Sequence, residues 1–155
     1  MNNTMTTNEK TNILGVDLEW KLRSRDTGGH YCFLTATVPP GVGIPLHQHP
    51  DQEAFFVLEG NPEFALENDG STKWCVAAPG DMINIPPDAL HGFRNTSDRD
   101  VRVIITCTAR LGEFFNEAGT PRHAGGSAKT GPTLAEIERV LEVGRKHGQR
   151  FAPPV

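Results

Sequence analysis

The segment GVGIPLHQHPDQEAFFVLEG, residues 41–60, decides the reading of the chain. His47 and His49 stand one residue apart. In an extended strand alternate side chains share a face, so a His-x-His pair aims both imidazoles the same way. Glu53 follows with the same parity, and Pro50 between them allows the strand to bend. A transition metal needs lone pairs that converge from several directions. Two imidazoles and a carboxylate from one strand–turn–strand segment supply three. A third imidazole has to come from elsewhere, and His91, in an apolar segment framed by glycine and proline turns, is the best candidate.

Outward from this segment, short apolar and β-branched runs alternate with turn residues, a rhythm that predicts an all-β sandwich or barrel from Ile13 to about Arg110. The expected strands are Ile13–Leu22, Tyr31–Val38, Glu53–Glu59, Glu63–Leu66, Thr72–Ala77, Asp81–Ile85, His91–Arg94 and Val101–Thr108, with the His-x-His segment extended as well. Glycine, proline, asparagine and aspartate clusters separate them, and Asn68-Asp69-Gly70 reads as a hairpin tip. Residues 111–155 form an extension of different texture. A short helix is expected over Leu111–Ala118, a flexible linker over Thr120–Thr130, and a second helix from the capping box Thr133-Leu134-Ala135-Glu136 to about His147. Leu134, Ile137 and Leu141 give that helix a narrow apolar stripe, so it is expected to pack on the barrel's outer surface. Residues 1–12 are polar and read as a disordered leader without a secretory signal.

The bulk properties exclude several classes. A chain of 155 residues with 37% hydrophobic and 22% charged residues fits one ordinary domain. A net charge of -4 argues against a nucleic-acid partner, which needs a basic face. No apolar run is long enough for a membrane-spanning helix. Cys32, Cys75 and Cys107 sit in apolar, β-like contexts, and without a C-x-x-C pair they read as buried free thiols of a reducing, cytoplasmic compartment.

Two spaced patterns now resemble the cupin family. The first, glycine, His-x-His, glutamate and glycine, falls on Gly41, His47, His49, Glu53 and Gly60. The second falls on Gly80, Pro86, His91 and Asn95, with Asp88 where glycine is usual. Aspartate tolerates turn and left-handed conformations, so the departure touches a loop rather than the ligand set. The resemblance implies a double-stranded β-helix, or jelly-roll barrel, with a short C-terminal helical extension. It also implies one divalent transition metal (Fe, Mn, Ni, Co, Cu or Zn) held by His47, His49, Glu53 and His91. The tail, with Phe114-Phe115 and then Gly119-Thr120-Pro121, is similar to that of small bacterial cupins labelled quercetin-dioxygenase-like.

A metal-dependent oxygenase acting on a small enolic or phenolic compound is the leading expectation. The alternatives are a non-redox lyase, isomerase or decarboxylase, and a small-molecule-binding module without catalysis. Glu53 is the one ligand that can also move a proton, which makes it the candidate catalytic residue. Phe55, Val57 and Phe93 share strand parity with Glu53 and His91 and are expected to line the interior near the metal. Tyr31, Phe33 and Trp74 could reach the mouth, since parity leaves their direction open. Phe56 and Leu58 are expected on the outer face, where large apolar residues suggest a homodimer contact. His30, His123 and His147 are read as a strand-start, a linker and a helix-end residue rather than ligands.

Overall fold

The computed structural model describes residues 9–121 and 131–152, the side chain of Asn68 excepted. Residues 1–8 of the expected leader, residues 122–130 of the expected linker and His123 lie outside the described residues, while Thr120–Pro121, also expected in the linker, form a short strand. The chain runs β1 (Lys10–Ile13), β2 (Val16–Leu22), β3 (Tyr31–Val38), β4 (Gly43–Gln48), β5 (Glu53–Glu59), β6 (Glu63–Asn68), β7 (Ser71–Val76), β8 (Met82–Ile85), β9 (His91–Arg94) and β10 (Val101–Thr108). Then come α1 (Ala109–Ala118), β11 (Thr120–Pro121), α2 (Leu134–Lys146) and β12 (Arg150–Phe151). The strands form two antiparallel sheets. One has the order β11-β1-β2-β3-β10-β5-β8, the other β12-β4-β9-β6-β7.

The sheets face each other across a single core. Alternation puts Cys32, Leu34, Ala36 and Val38 of β3 and Val101, Val103, Ile105 and Cys107 of β10 inward, all buried. Phe55 of the first sheet meets Phe64 and Phe93 of the second, with ring centroids 5.1 and 5.7 Å away. Each such ring taken from water contributes roughly 1.5–3 kcal/mol. Phe55, Val57 and Phe93 therefore face inward as their parity predicted, and Phe64 joins them.

The structure corrects several expectations. The run Ile13–Leu22 is not one strand. Leu14 and Gly15 both have positive φ, 51° and 91°, and make a two-residue hairpin turn between β1 and β2. Leucine is a poor turn signal, but the Asn12 side chain accepts the Gly15 N–H at 3.0 Å and Leu14 packs on the core. Lys10–Asn12 consequently belong to a strand rather than to a leader. The Asn68-Asp69-Gly70 tip behaves as expected, with φ of 50° and 73° at Asp69 and Gly70.

Cys32 and Cys107 are buried, but Cys75 is exposed, because β7 is an edge strand with both faces in solvent. Tyr31 and Trp74 point outward and are also exposed, and Trp74 lies under the Arg94 guanidinium, 4.0 Å from the ring centroid. Phe33 alternates with buried Cys32 and Leu34 and so lies on the outer face. Phe56 and Leu58 lie on that face as expected, half-buried by their neighbours.

The extension docks back on the barrel. α2 has its capping box, Thr133 with Glu136, but Leu134 is exposed and Val140 and Gly144 are the buried positions. The helix packs on α1 and β12 rather than directly on the outer sheet face. A Cβ at Gly144 would lie 2.7 Å from the Phe151 ring, so this glycine makes room for the ring. β12 then pairs with β4, Arg150 opposite Gln48 and Phe151 opposite His47.

One glycine controls the site strand. Between Ile44 and His47 the β4–β9 register slips, so Pro45 and Leu46 together face Gly92. This β-bulge lets even-numbered Ile44 and odd-numbered His47 both face inward. A Cβ on Gly92 would come within 2.9 Å of the Ile44 carbonyl oxygen. Gly92→Ala should therefore lower stability by about 1–3 kcal/mol in denaturant titrations, whereas an unstrained strand glycine would gain roughly 0.5–1 kcal/mol from the same change.

Candidate metal centre

Three imidazoles meet between the sheets. His47 ends the bulged segment of β4, His49 lies just past its end, and His91 opens β9 opposite His47. All three are buried, and one ring nitrogen of each lies within 4.8 Å of those of the other two. The ring centroids of His47 and His91 are 4.3 Å apart, and those of His49 and His91 4.8 Å.

The backbone sets the tautomer of each ring. His47 Nδ1 lies 2.9 Å from the Pro45 carbonyl oxygen, His49 Nδ1 3.1 Å from that of Asp51, and His91 Nδ1 2.8 Å from that of Ala89. A carbonyl can only accept, so each Nδ1 carries the proton and donates it. Each Nε2 is then a bare lone pair in the neutral ring. His91 Nε2 is buried without a hydrogen-bond partner. Glu53, at the start of β5, brings Oε2 to 3.3 Å from His49 Nε2 and 3.5 Å from His91 Nε2. Lone pairs thus crowd one buried point with no donor left to satisfy them, an arrangement that a cation relieves. The donor set of three imidazoles and one carboxylate fits a divalent first-row transition metal. All four residues picked out from sequence are therefore brought together.

The electrostatics agree. Burial pushes the Glu53 carboxyl up, but in the metal-free site the protonated forms of His49 and His91, which gain an Nε2–H facing Glu53, outweigh it and hold the group down at about 2. Burial and the neighbouring His91 lower His47 to about 4. Burial also disfavours a charged His49, yet the hydrogen bond to Glu53 and the nearby Asp51 and Glu53 charges raise it.

Two supporting residues escaped the sequence reading. Asp51 is buried, and its Oδ1 accepts from Thr108 Oγ1 at 2.6 Å and Arg110 Nε at 2.9 Å. Its own carbonyl orients His49, so the start of α1, where Thr108 also caps Leu111 N–H, is tied to the ligand loop. A charged residue two positions after a ligand histidine was the available signal. Phe151 is the second, with its ring stacked toward His47 at a centroid distance of 6.1 Å. Asp88, the departure from the usual glycine, has φ 62°, and its N–H donates to the His49 carbonyl at 2.8 Å. Its carboxylate accepts from Arg150. Both partners are more than half exposed, so that ion pair is worth at most about 1 kcal/mol and the tail is held mainly by packing and pairing.

Asn95, the last position of the second pattern, is buried and structural. Its amide donates to the Val38 and Arg99 carbonyls while Oδ1 accepts from Ser97, fixing the turn between β9 and β10. His30 is exposed, and His147 pairs with Glu117 on α1 at 2.7 Å. Neither joins the centre.

Two outcomes follow for metal titrations read by competing chelators. Affinity should fall on acidification first through His49, whose proton uptake is raised above the ordinary imidazole range, whereas His47 does not protonate until about pH 4. Asp51→Ala should weaken metal binding by roughly tenfold or more through loss of support for the His49 loop.

Comparison with known proteins matches this geometry. Residues 34–107, which contain His47, His49, Glu53 and His91, match the family model for the cupin domain. Over 64 residues the chain is 38% identical to the acireductone dioxygenase of Bacillus anthracis, a stretch covering 39% of this chain and 38% of that protein. Over 68 residues it is 34% identical to the dimethylsulfoniopropionate lyase DddQ of Ruegeria pomeroyi, covering 44% of this chain and 32% of that one. The matches thus span less than two fifths of these relatives' own length. The fold is similar to that of an RmlC-like cupin from Shewanella frigidimarina, with a TM-score of 0.55 at 18% identity, over 70% of this chain and 92% of that one. No helix among the described residues is long and apolar enough to cross a membrane. The two facing sheets, the buried histidine–glutamate cluster and the domain match agree: residues 34–107 carry a cupin domain.

Proposed function

We propose that this protein is a metal-dependent oxygenase acting on a small enolic or phenolic compound. The observation that carries the reading is the buried convergence of three Nε2 lone pairs with the Glu53 carboxylate. A divalent metal held there supplies Lewis acidity toward adjacent substrate oxygens and, if redox-active, electrons for dioxygen. His47, His49, His91 and Glu53 would hold such a metal. The likeness to a dioxygenase over 64 residues supports the same class.

The protein's own groups do the rest. The three histidines, locked by backbone carbonyls, keep their geometry through turnover. Glu53 Oε2, ionised at neutral pH, is the acceptor for a hydroxyl proton released as the substrate binds. Phe55, next inward-facing residue after Glu53 on β5, and Phe93, next after His91 on β9, form the apolar floor with Phe64 and keep water from that side. Val57 lies further along β5 and serves the core.

Oxygen-electrode measurements on Fe-, Mn-, Co- and Ni-reconstituted protein should show substrate-dependent uptake with a panel of enolic and phenolic compounds. Glu53→Ala should abolish it. No uptake with any pairing would overturn the oxygenase reading. The likeness to a lyase supports a second reading, non-redox elimination or isomerisation at the same centre. Turnover under strict anaerobiosis with Zn would select it.

A further inference from the structure

The two sheets present almost only apolar side chains and imidazoles to the interior. Among the described strand residues on the inner faces, two carry a formal charge. One is Glu53. The other is Lys73, and the strand register fixes its place. His47 on β4 pairs with His91 on β9, His91 with Leu66 on β6, and Leu66 with Lys73 on β7. Directly paired residues point to the same face. His91 is buried between the sheets and Leu66 packs on the core, so this transverse row runs along the inner face and Lys73 lies at its end. The next residue on that face, Cys75, pairs with buried Phe64 and repeats the assignment, while Trp74 between them lies outward against Arg94.

Lys73 nevertheless is exposed, as is all of β7. An inner-face position in solvent marks the place where the space between the sheets opens. Strand spacing puts β7 about 10 Å from β9, and the flexible four-carbon stem of lysine lets its ammonium swing over that gap. Lys73 makes no ion pair or hydrogen bond among the described residues, whereas Lys21 and Lys146 are paired with Glu19 and Glu117. A lone cation at the rim, on the row that carries two ligands, is complementary to a single negative charge on whatever chelates the metal.

We propose that Lys73 recognises a carboxylate on the substrate, so that the compound taken at the His47–His49–Glu53–His91 centre is a small chelating acid bound at one end by the metal and at the other by this ammonium. The assignment rests on the metal-centre reading above and names the substrate class for it. One ammonium matches a monoanion; the row offers no cluster of donors such as a phosphate dianion uses.

The test uses Co(II)-loaded full-length protein and two hydroxamate chelators of equal length, butyrohydroxamate and the monohydroxamate of succinic acid, which differ in a remote carboxylate. Binding is read from the Co(II) visible spectrum. The carboxylate-bearing chelator should bind about five- to tenfold more tightly to the unmodified protein, and the preference should shrink at high salt. Lys73→Met should erase the preference while leaving Co(II) content and butyrohydroxamate affinity unchanged, and Lys73→Arg should keep it. Equal affinities in the unmodified protein, or a preference that survives Lys73→Met, would overturn the Lys73 assignment alone. Protein that takes up no Co(II) would overturn the metal-centre reading and this assignment with it.

Discussion

Three hydrogen bonds from imidazole Nδ1 to backbone carbonyls are the constraint on which the site depends. Each removes a proton from the side of the ring that faces its neighbours. Without them the rings could donate to Glu53 or to one another and form a closed polar network. With them the buried centre is acceptor-rich, and the same bonds hold each ring at a fixed angle. Because the acceptors are main-chain atoms two residues away, the ligand geometry is written into the local path of the chain. The surrounding structure exists to impose that path: the bulge at Pro45–Leu46, the left-handed turn at Asp88, and the loop pinned by Asp51.

The bulge also links the two sheets' chemistry. Its tight contact with Gly92 places His91 and His47 side by side, so a position with no side chain determines how two imidazoles meet. On the other flank, Asp51 joins the His49 loop to Thr108 and Arg110 at the start of α1. α1 in turn carries α2 through Glu117, which takes both Lys146 and His147. The helical extension is thus mechanically continuous with the metal loop at one end and, through β12, with the metal strand at the other.

The cluster of three histidines and Glu53 was legible because metal chemistry demands particular residue types at particular spacings, and His-x-His with Glu53 survives as a pattern in any extended segment. The parity argument reached the correct face although β4 ends at Gln48 and is bulged. The strands of β3, β5, β9 and β10 were equally legible, since alternation is dictated by one buried face. Other features were not. Leu14-Gly15 has leucine where a turn residue is usual, and its hairpin is supported by a side chain three positions upstream of the glycine. Cys75 read as buried because an edge strand and a central strand share one composition; which is which depends on the sheet order. Asp51 carried no local signal of its role, since its partners Thr108 and Arg110 are far along the chain. β12 is too short to be seen locally and is a product of tertiary pairing with β4.

That last pairing carries a consequence for biogenesis. β4 lies early in the chain and β12 among the last described residues, so during synthesis the ligand strand emerges long before its edge partner. The ligands can therefore gather while one side of β4 still has unpaired N–H and C=O groups and His47 has yet to meet Phe151. Ions could enter and leave from that side at this stage. Once Arg150 and Phe151 dock, the flank is covered, and an ion captured during assembly would exchange more slowly than one offered to the same ligands on the nascent chain. The metal found in the mature protein would then reflect what the compartment supplied at the moment of folding.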